Sequence, residues 1–217
     1  MCDKYKSVFR YGEDEIIINK SRFIGYCKPV KDEGEAIAFI DEIKDIHKTA
    51  THNCYAYIIG KNLQRFSDDG EPSHTAGMPI LTTLLNEGLE NLCVVVTRYF
   101  GGVLLGKGGL VRAYTSGCKI ALEKSIIVEK IPHYLVKLNL DYSKLGSVEN
   151  YFNNKEIQTV EKTYLEDVSI QLYIDIDSYE DFLEDIMNLT NGDLFSQIIG
   201  QKYLSVLNGK ILFDKGE

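Results

Sequence analysis

A glycine-rich segment between Arg98 and Leu110 has the residue types best suited to binding an anion. Its candidate binding residues are Arg98, Gly101, Gly102, Gly106, Lys107, Gly108 and Gly109. The segment is predicted to join a buried strand to a helix, so its backbone N–H groups, the helix dipole and the two cations could together bind a phosphate. The alternative is a tight connection whose glycines permit positive φ and close packing.

Part of this segment resembles a nucleotide-binding loop. The spacing Gly101-x-x-x-x-Gly106-Lys107 matches a Walker A fragment, but Gly108 stands where a Ser or Thr must bind magnesium. We therefore predict no ATP or GTP hydrolysis and no cofactor. An enzyme or sensor that binds a phosphorylated small molecule through Gly101–Gly109 stays open as an alternative.

A second cluster lies between Ser67 and Pro79. Its candidate acid–base residues are Asp68, Asp69, Glu71 and His74, which could serve an enzyme. However, Asp-Gly and Glu-Pro pairs are typical of turns, and Ser and Thr are typical helix caps. The turn-and-cap interpretation is favoured over catalysis.

His52 and Cys54 lie two residues apart at the start of a predicted strand, so they face the same side. They could form half a metal site or a Cys–His pair. Because further ligands and an oxyanion hole are missing, we predict a buried Cys54, a hydrogen-bonded His52 and no metal.

The charge of −8 is unevenly distributed. Residues 1–131 hold 17 basic and 17 acidic residues, whereas residues 132–217 hold 7 basic and 15 acidic residues, which accounts for the whole excess. Residues 98–124 hold five basic residues and one acidic residue, a local net charge of +4. The predicted RNA-phosphate surface consists of Arg98, Lys107, Arg112 and Lys119. The alternative is a solvated helix face on which Lys119 pairs with Glu123.

Hydrophobic periodicity predicts a two-domain α+β protein, with domains at 1–131 and 132–217. In the first domain, helices are expected at 33–48, after Pro79 and from Leu110. The predicted strands are 15–19, 23–30, 53–59, 63–66 and 92–96. The second domain has the βαββαβ order of a ferredoxin-like fold.

Five widely spaced cysteines without a Cys-x-x-Cys pair predict neither a disulfide framework nor a zinc ribbon. No stretch approaches about 18 uninterrupted apolar residues, and the first ten residues show no targeting pattern. We expect a cytoplasmic protein that does not contact a membrane.

The motifs together resemble the YigZ/IMPACT family in its bacterial two-domain form. The segments that carry the resemblance are Lys20–Gly25, Ala50–Tyr57, Ser67–Ile80, Val94–Gly102 and Gly109–Tyr114. The resemblance implies an N-terminal domain like domain 2 of ribosomal protein S5 and a C-terminal domain like the last domain of elongation factor G. Where this family commonly has glycine, the chain has His74, which weakens the expectation of a positive φ at this position.

The family resemblance implies no established catalytic activity. Eukaryotic relatives regulate translation through protein partners, and bacterial members are suspected of binding nucleic acid or the ribosome. We therefore predict a non-catalytic protein that binds RNA or the ribosome and modulates translation. A protein-interaction module that acts through the acidic C-terminal domain is a further alternative. The sequence gives no prediction of the oligomeric state.

Overall fold

The computed structural model describes residues 4 to 213, which form two compact units. The N-terminal unit comprises Tyr5–Glu129 with Leu207–Gly209, and the C-terminal unit comprises Lys4, Lys130–Val206 and residues 210 to 213. Each unit combines helices with an antiparallel sheet. The predicted α+β class is confirmed.

The N-terminal unit is built on a five-stranded sheet in the order β2-β3-β6-β4-β5. Its strands and helices are β1 (Tyr5–Val8), β2 (Gly12–Ile18), β3 (Ser21–Pro29), α1 (Glu33–Ile46), β4 (His52–Ile59), β5 (Leu63–Ser67), α2 (Gly77–Asn86), β6 (Leu92–Tyr99) and α3 (Gly106–Ser125).

Strand β6 lies in the middle of this sheet and is covered on both faces. Val94 and Val96 belong to the core formed with α2 and α3, whereas Cys93 and Val95 belong to the core formed with α1. A strand buried on both faces is expected to be an unbroken apolar run. Because both faces are covered, residues 92–96 are all apolar, and this made the strand predictable from the sequence.

Helix α3 packs unusually close to the sheet. A Cβ atom on Gly25 of β3 would lie 2.0 Å from the carbonyl oxygen of Gly117, and one on Gly117 would lie 2.8 Å from Cγ1 of Val96. Both distances are shorter than any real Cβ contact, so only glycine permits this approach. The packing fixes α3, and with it the glycine-rich segment at its start.

Two helices begin earlier than the sequence predicts. Helix α3 starts at Gly106 rather than Leu110, and α2 starts at Gly77, two residues before Pro79. Each glycine disfavours a helix by about 1 kcal/mol, which is why the sequence suggested a later start for α3. Leu105 and Leu110 both pack on the core, and their burial completes the first turn despite the glycines.

The C-terminal unit has the β-α-β-β-α-β order expected for it, with a 3₁₀ turn before the second helix and a short strand at the end. Its elements are β7 (Ile127–Leu140), α4 (Tyr142–Asn154), β8 (Thr159–Tyr164), β9 (Val168–Asp175), a 3₁₀ turn (Ile176–Ser178), α5 (Tyr179–Thr190), β10 (Phe195–Leu207) and β11 (Lys210–Leu212). The sheet order is β11-β10-β7-β9-β8.

Strand β9 alternates between buried and half-buried residues. Val168, Ile170, Leu172 and Ile174 are buried in the core that includes residues of α4 and α5. In the sequence these residues alternate with Ser169, Gln171, Tyr173 and Asp175, the pattern typical of a strand with one covered face. Between residues 4 and 213 no helix is both long enough and apolar enough to cross a membrane.

Candidate anion-binding site

The loop that follows β6 is fastened to the neighbouring backbone. The N–H of Phe100 donates to Oγ1 of Thr51 at 3.0 Å, and the N–H of Gly101 donates to Oγ of Ser21 at 3.2 Å. A Cβ atom on Gly101 would lie 2.0 Å from the carbonyl carbon of Lys20, so a larger residue does not fit. The loop therefore starts from a fixed point beside the β2–β3 turn.

The remaining glycines bring the chain into α3. Gly102 and Gly106 have φ values of +81° and +66°, which lie in the left-handed region that favours glycine. Leu105, at the N-cap of α3, makes no side-chain capping bond, and the first turn contains no acidic residue. The first N–H groups of α3 thus keep their capacity to bind an anion.

Three cations of the predicted surface are exposed on α3. Lys107, Arg112 and Lys119 form no ion pair with any residue between 4 and 213, and the alternative pairing of Lys119 with Glu123 is not formed. Lys124 differs from them because it lies 3.5 Å from a carboxylate oxygen of Asp14. The surface therefore offers three side chains whose charge is not balanced by a direct contact.

Arg98 does not belong to this surface, and its predicted exposure is wrong. Its Nη1 lies 2.5 Å from Oε1 of Glu71, with 7% and 3% of the two side chains exposed. The hydroxyl of Tyr114 donates to the same oxygen at 2.8 Å. The guanidinium carbon lies 5.4 Å and 5.5 Å from the ring centroids of Phe23 and Phe100.

Arg98 is buried because β6 is longer than its apolar run. The apolar run ends at Val96, but the strand continues to Tyr99, so Arg98 points to the same covered face as Val94 and Val96. Continuing the two-residue alternation past Val96 would have placed Arg98 inside. The Glu71 carboxylate balances the charge of Arg98. The buried Arg98 therefore does not contribute to the exposed charge of residues 98–124, which is one unit lower than the predicted +4.

The acidic turn after β5 serves a structural role. Oδ1 of Asp68 accepts hydrogen bonds from the N–H groups of Ala76 and Gly77, at 3.0 and 2.8 Å. Oδ2 of Asp68 accepts one from the N–H of His74 at 2.8 Å. Asp68 therefore caps α2 from outside the helix. The turn expected here is present, but the expected Ser or Thr cap is not formed: Ala76 occupies the N-cap position, and the hydroxyl of Thr75 donates to the carbonyl oxygen of Pro72.

The other two carboxylates of the turn are also engaged. Asp69 accepts a hydrogen bond from the N–H of Asn53 at 2.6 Å, and Glu71 accepts those of Arg98 and Tyr114. None of the three is a free carboxylate facing an open cavity. This geometry does not favour the alternative in which they act with His74 as acid–base groups.

His74 itself departs from the expectation. Its φ is +62°, so the position adopts the left-handed conformation that favours glycine. The bond from its N–H to Asp68 holds the backbone there. The position therefore has a positive φ although a histidine, and not a glycine, occupies it.

His52 and Cys54 hold the backbone of the same turn. Nδ1 of His52 lies 2.6 Å from the carbonyl oxygen of Asp69, and Sγ of Cys54 donates to that of Asp68 at 3.0 Å. Burial raises the pKa of the Cys54 thiol. Within the described part of the chain, no three His, Cys, Asp or Glu side chains are arranged to hold a metal ion.

Comparison with known proteins assigns the family. The model of the Impact N-terminal domain matches residues 19–122, and a domain of unknown function (DUF1949) matches residues 138–193. The IMPACT family member YvyE of Bacillus subtilis (strain 168) is 43% identical over 88% of this chain and 89% of its own. The chain belongs to the IMPACT family.

Other IMPACT proteins align over different shares of the chain. The IMPACT family member YigZ of Escherichia coli (strain K12) is 32% identical over 82% of this chain and 89% of its own. The human Protein IMPACT is 31% identical over 49% of this chain and 35% of its own. A crystal structure of a hypothetical protein superposes with a TM-score of 0.58 at 29% identity, covering 92% of this chain and 99% of that one.

The glycine-rich loop and the three exposed cations Lys107, Arg112 and Lys119 lie inside the part that matches the Impact N-terminal domain. Two neighbours of the loop were absent from the predicted site, namely Lys20 and Phe100. Lys20 follows Asn19 in a two-residue turn, and both have positive φ. The predicted strands 15–19 and 23–30 already left Lys20 between them, and Asn19 is the turn-forming residue that could have placed Lys20 at a hairpin tip.

Proposed function

We propose that this IMPACT family member binds RNA, free or in the ribosome, through α3, and modulates translation in the cytoplasm without catalysis. The observation that carries the proposal is the set of three exposed cations, Lys107, Arg112 and Lys119, without ion-pair partners among residues 4 to 213. They share a helix whose N-terminus has no side-chain cap. Cations of this kind bind phosphates and release counterions from the nucleic acid.

The spacing of the cations favours a polymer over a small phosphorylated molecule. Lys107 and Lys119 are twelve residues apart, which corresponds to about 18 Å along an α-helix. One phosphate could contact Lys107 and the N-terminal N–H groups but could not also reach Lys119. A nucleic acid backbone repeats its phosphates and can contact all three, in a way that depends little on sequence.

We further propose the specific folds implied by the family resemblance, over domains at 1–131 and 132–217. The central sheet order β10-β7-β9-β8, with β-α-β-β-α-β connectivity, supports a ferredoxin-like C-terminal domain similar to the last domain of elongation factor G. An N-terminal domain like domain 2 of ribosomal protein S5 fits the same association with translation. The acidic C-terminal domain would then contact protein rather than phosphate.

Binding of full-length protein to a fluorescein-labelled fragment of ribosomal RNA tests the proposal. The double variant Arg112→Glu/Lys119→Glu should weaken binding about tenfold or more at 0.15 M salt, because two phosphate contacts are lost and two repulsions are added. The matched control is Lys31→Glu/Lys48→Glu, which changes the net charge equally at the two ends of α1, on the opposite face of the sheet.

The control variant should bind RNA with little loss, and both variants should retain the thermal unfolding midpoint, since all four side chains are exposed. Equal weakening by the two double variants would mean that only total charge matters. Unchanged binding by both would contradict the proposed surface.

A further inference from the structure

Phe100 is an exposed aromatic side chain held in a fixed position. It is 46% exposed at the start of the glycine-rich loop. Its N–H is bonded to Thr51, and the next residue, Gly101, is bonded to Ser21 and packed against the backbone of Lys20. An exposed ring on a fixed backbone loses little conformational freedom when a flat ligand covers it.

One face of the Phe100 ring is already occupied. The guanidinium carbon of Arg98 lies over this ring, 5.5 Å from its centroid, and also over the ring of Phe23 at 5.4 Å. Glu71 fixes the guanidinium by a buried ion pair, so the support beneath the ring is rigid. With one face on the guanidinium and nearly half of the residue exposed, the ring is available from the solvent side.

We propose that Phe100 is a stacking platform for an unpaired base, so that the site takes single-stranded RNA in preference to a duplex. This inference rests on the proposed function and names its substrate class. Lys107 follows Phe100 by seven positions, so the two can be at most about 25 Å apart. A short strand with one base on Phe100 can therefore place neighbouring phosphates on α3.

Stacking requires a base whose face is free. In a duplex both faces of each base are covered by the neighbouring pairs, whereas bases in single strands, loops and bulges stack on exposed aromatic side chains. Exposed Val103 and Leu104, the latter 87% exposed, extend the apolar surface beside Phe100. The unpaired cations on α3 favour a nucleic acid over an apolar protein segment as the occupant.

The test compares a labelled 12-nucleotide oligouridine with a labelled 12-base-pair RNA duplex on full-length protein. Phe100→Leu keeps an apolar side chain but removes the ring, and Phe100→Tyr keeps the ring. Phe100→Leu should weaken single-strand binding about tenfold, leave duplex binding unchanged and leave the salt dependence unchanged, because no phosphate contact is lost. Phe100→Tyr should bind like the wild type.

The possible outcomes separate this inference from the proposed function. If Phe100→Leu binds oligouridine as the wild type does while Arg112→Glu/Lys119→Glu binds weakly, the stacking platform is overturned and the RNA surface stands. If Phe100→Leu weakens both RNAs equally, its role is structural and the inference is also overturned. If the wild type binds neither RNA, both proposals fail. Capture of a protein partner that Phe100→Leu abolishes, without any effect on RNA, would assign the ring to protein docking instead.

Discussion

The guanidinium of Arg98 and the carboxylate of Glu71 form an ion pair of 2.5 Å inside the N-terminal unit. Arg98 comes from the end of β6, and Glu71 comes from the turn that precedes α2. Tyr114 of α3 donates to the same carboxylate, so one oxygen joins a strand, a turn and a helix. The pair therefore fixes the base of the loop that carries Phe100 and leads to α3.

Breaking this pair on one side should destabilise the protein strongly. Glu71→Gln and Arg98→Met should each lower the free energy of unfolding by about 3 kcal/mol, since each leaves a buried group without its partner. The double variant should lose less than the sum of the two. Urea denaturation of all four proteins measures this, and losses below about 1 kcal/mol with simple additivity would contradict the buried pair.

At position 74 glycine should be tolerated better than alanine. Its φ of +62° disfavours any residue with a Cβ atom. We expect His74→Gly to be more stable than His74→Ala by about 1 kcal/mol, although glycine gains entropy in the unfolded chain. The alanine variant is the matched control because both lose the imidazole. Thermal or urea unfolding decides, and an alanine variant as stable as the glycine variant would show that the backbone is not strained there.

The sequence predicted the fold better than the site because burial patterns are local and ion pairs are not. The apolar run of β6 and the alternation of β9 each identify a strand from its own residues. The partner of Arg98 lies 27 positions away, and no local pattern links the two. The sequence predicted a turn at Asp68 but not that Asp68 caps α2. The N–H groups that its carboxylate accepts from depend on how the turn folds back, and no local pattern shows this.

The cysteines of the described residues should react slowly with thiol reagents. Cys27, Cys54, Cys93 and Cys118 are free and buried, and burial raises the pKa of Cys27 to about 12. Cys2 lies outside the described residues, so the experiment uses a Cys2→Ser variant. Ellman's reagent should label this variant orders of magnitude faster in urea than in buffer, because a thiolate must form and be reached. A thiol that reacts at once in buffer would contradict the burial.

Stability should fall as the pH drops below neutrality, partly through His47. Its ring lies between the hydroxyls of Tyr26 and Tyr99, at 2.5 and 2.9 Å, and burial lowers the pKa of His47, with Arg22 adding to the effect and Glu13 opposing it. Because the unfolded chain binds this proton more readily, the stability is complete above the unfolded pKa, near 6.5, and is lost as the pH falls through the folded pKa.

The variant His47→Gln isolates this contribution. Between pH 7 and pH 5 its free energy of unfolding should fall less steeply than that of the wild type, by no more than the effect of one proton. Urea titrations at several pH values provide the comparison. An identical slope in both proteins would contradict an effect of His47 on acid stability.

The salt dependence of RNA binding tests the central claim most directly. Each phosphate contact contributes about 0.7 to 0.9 to the slope of log affinity against log salt, so Arg112→Glu/Lys119→Glu should flatten the slope by about one to two units. The control Lys31→Glu/Lys48→Glu should keep the wild-type slope. If the site variant shows the wild-type slope and affinity, the exposed cations of α3 are only a solvated helix face and do not bind RNA.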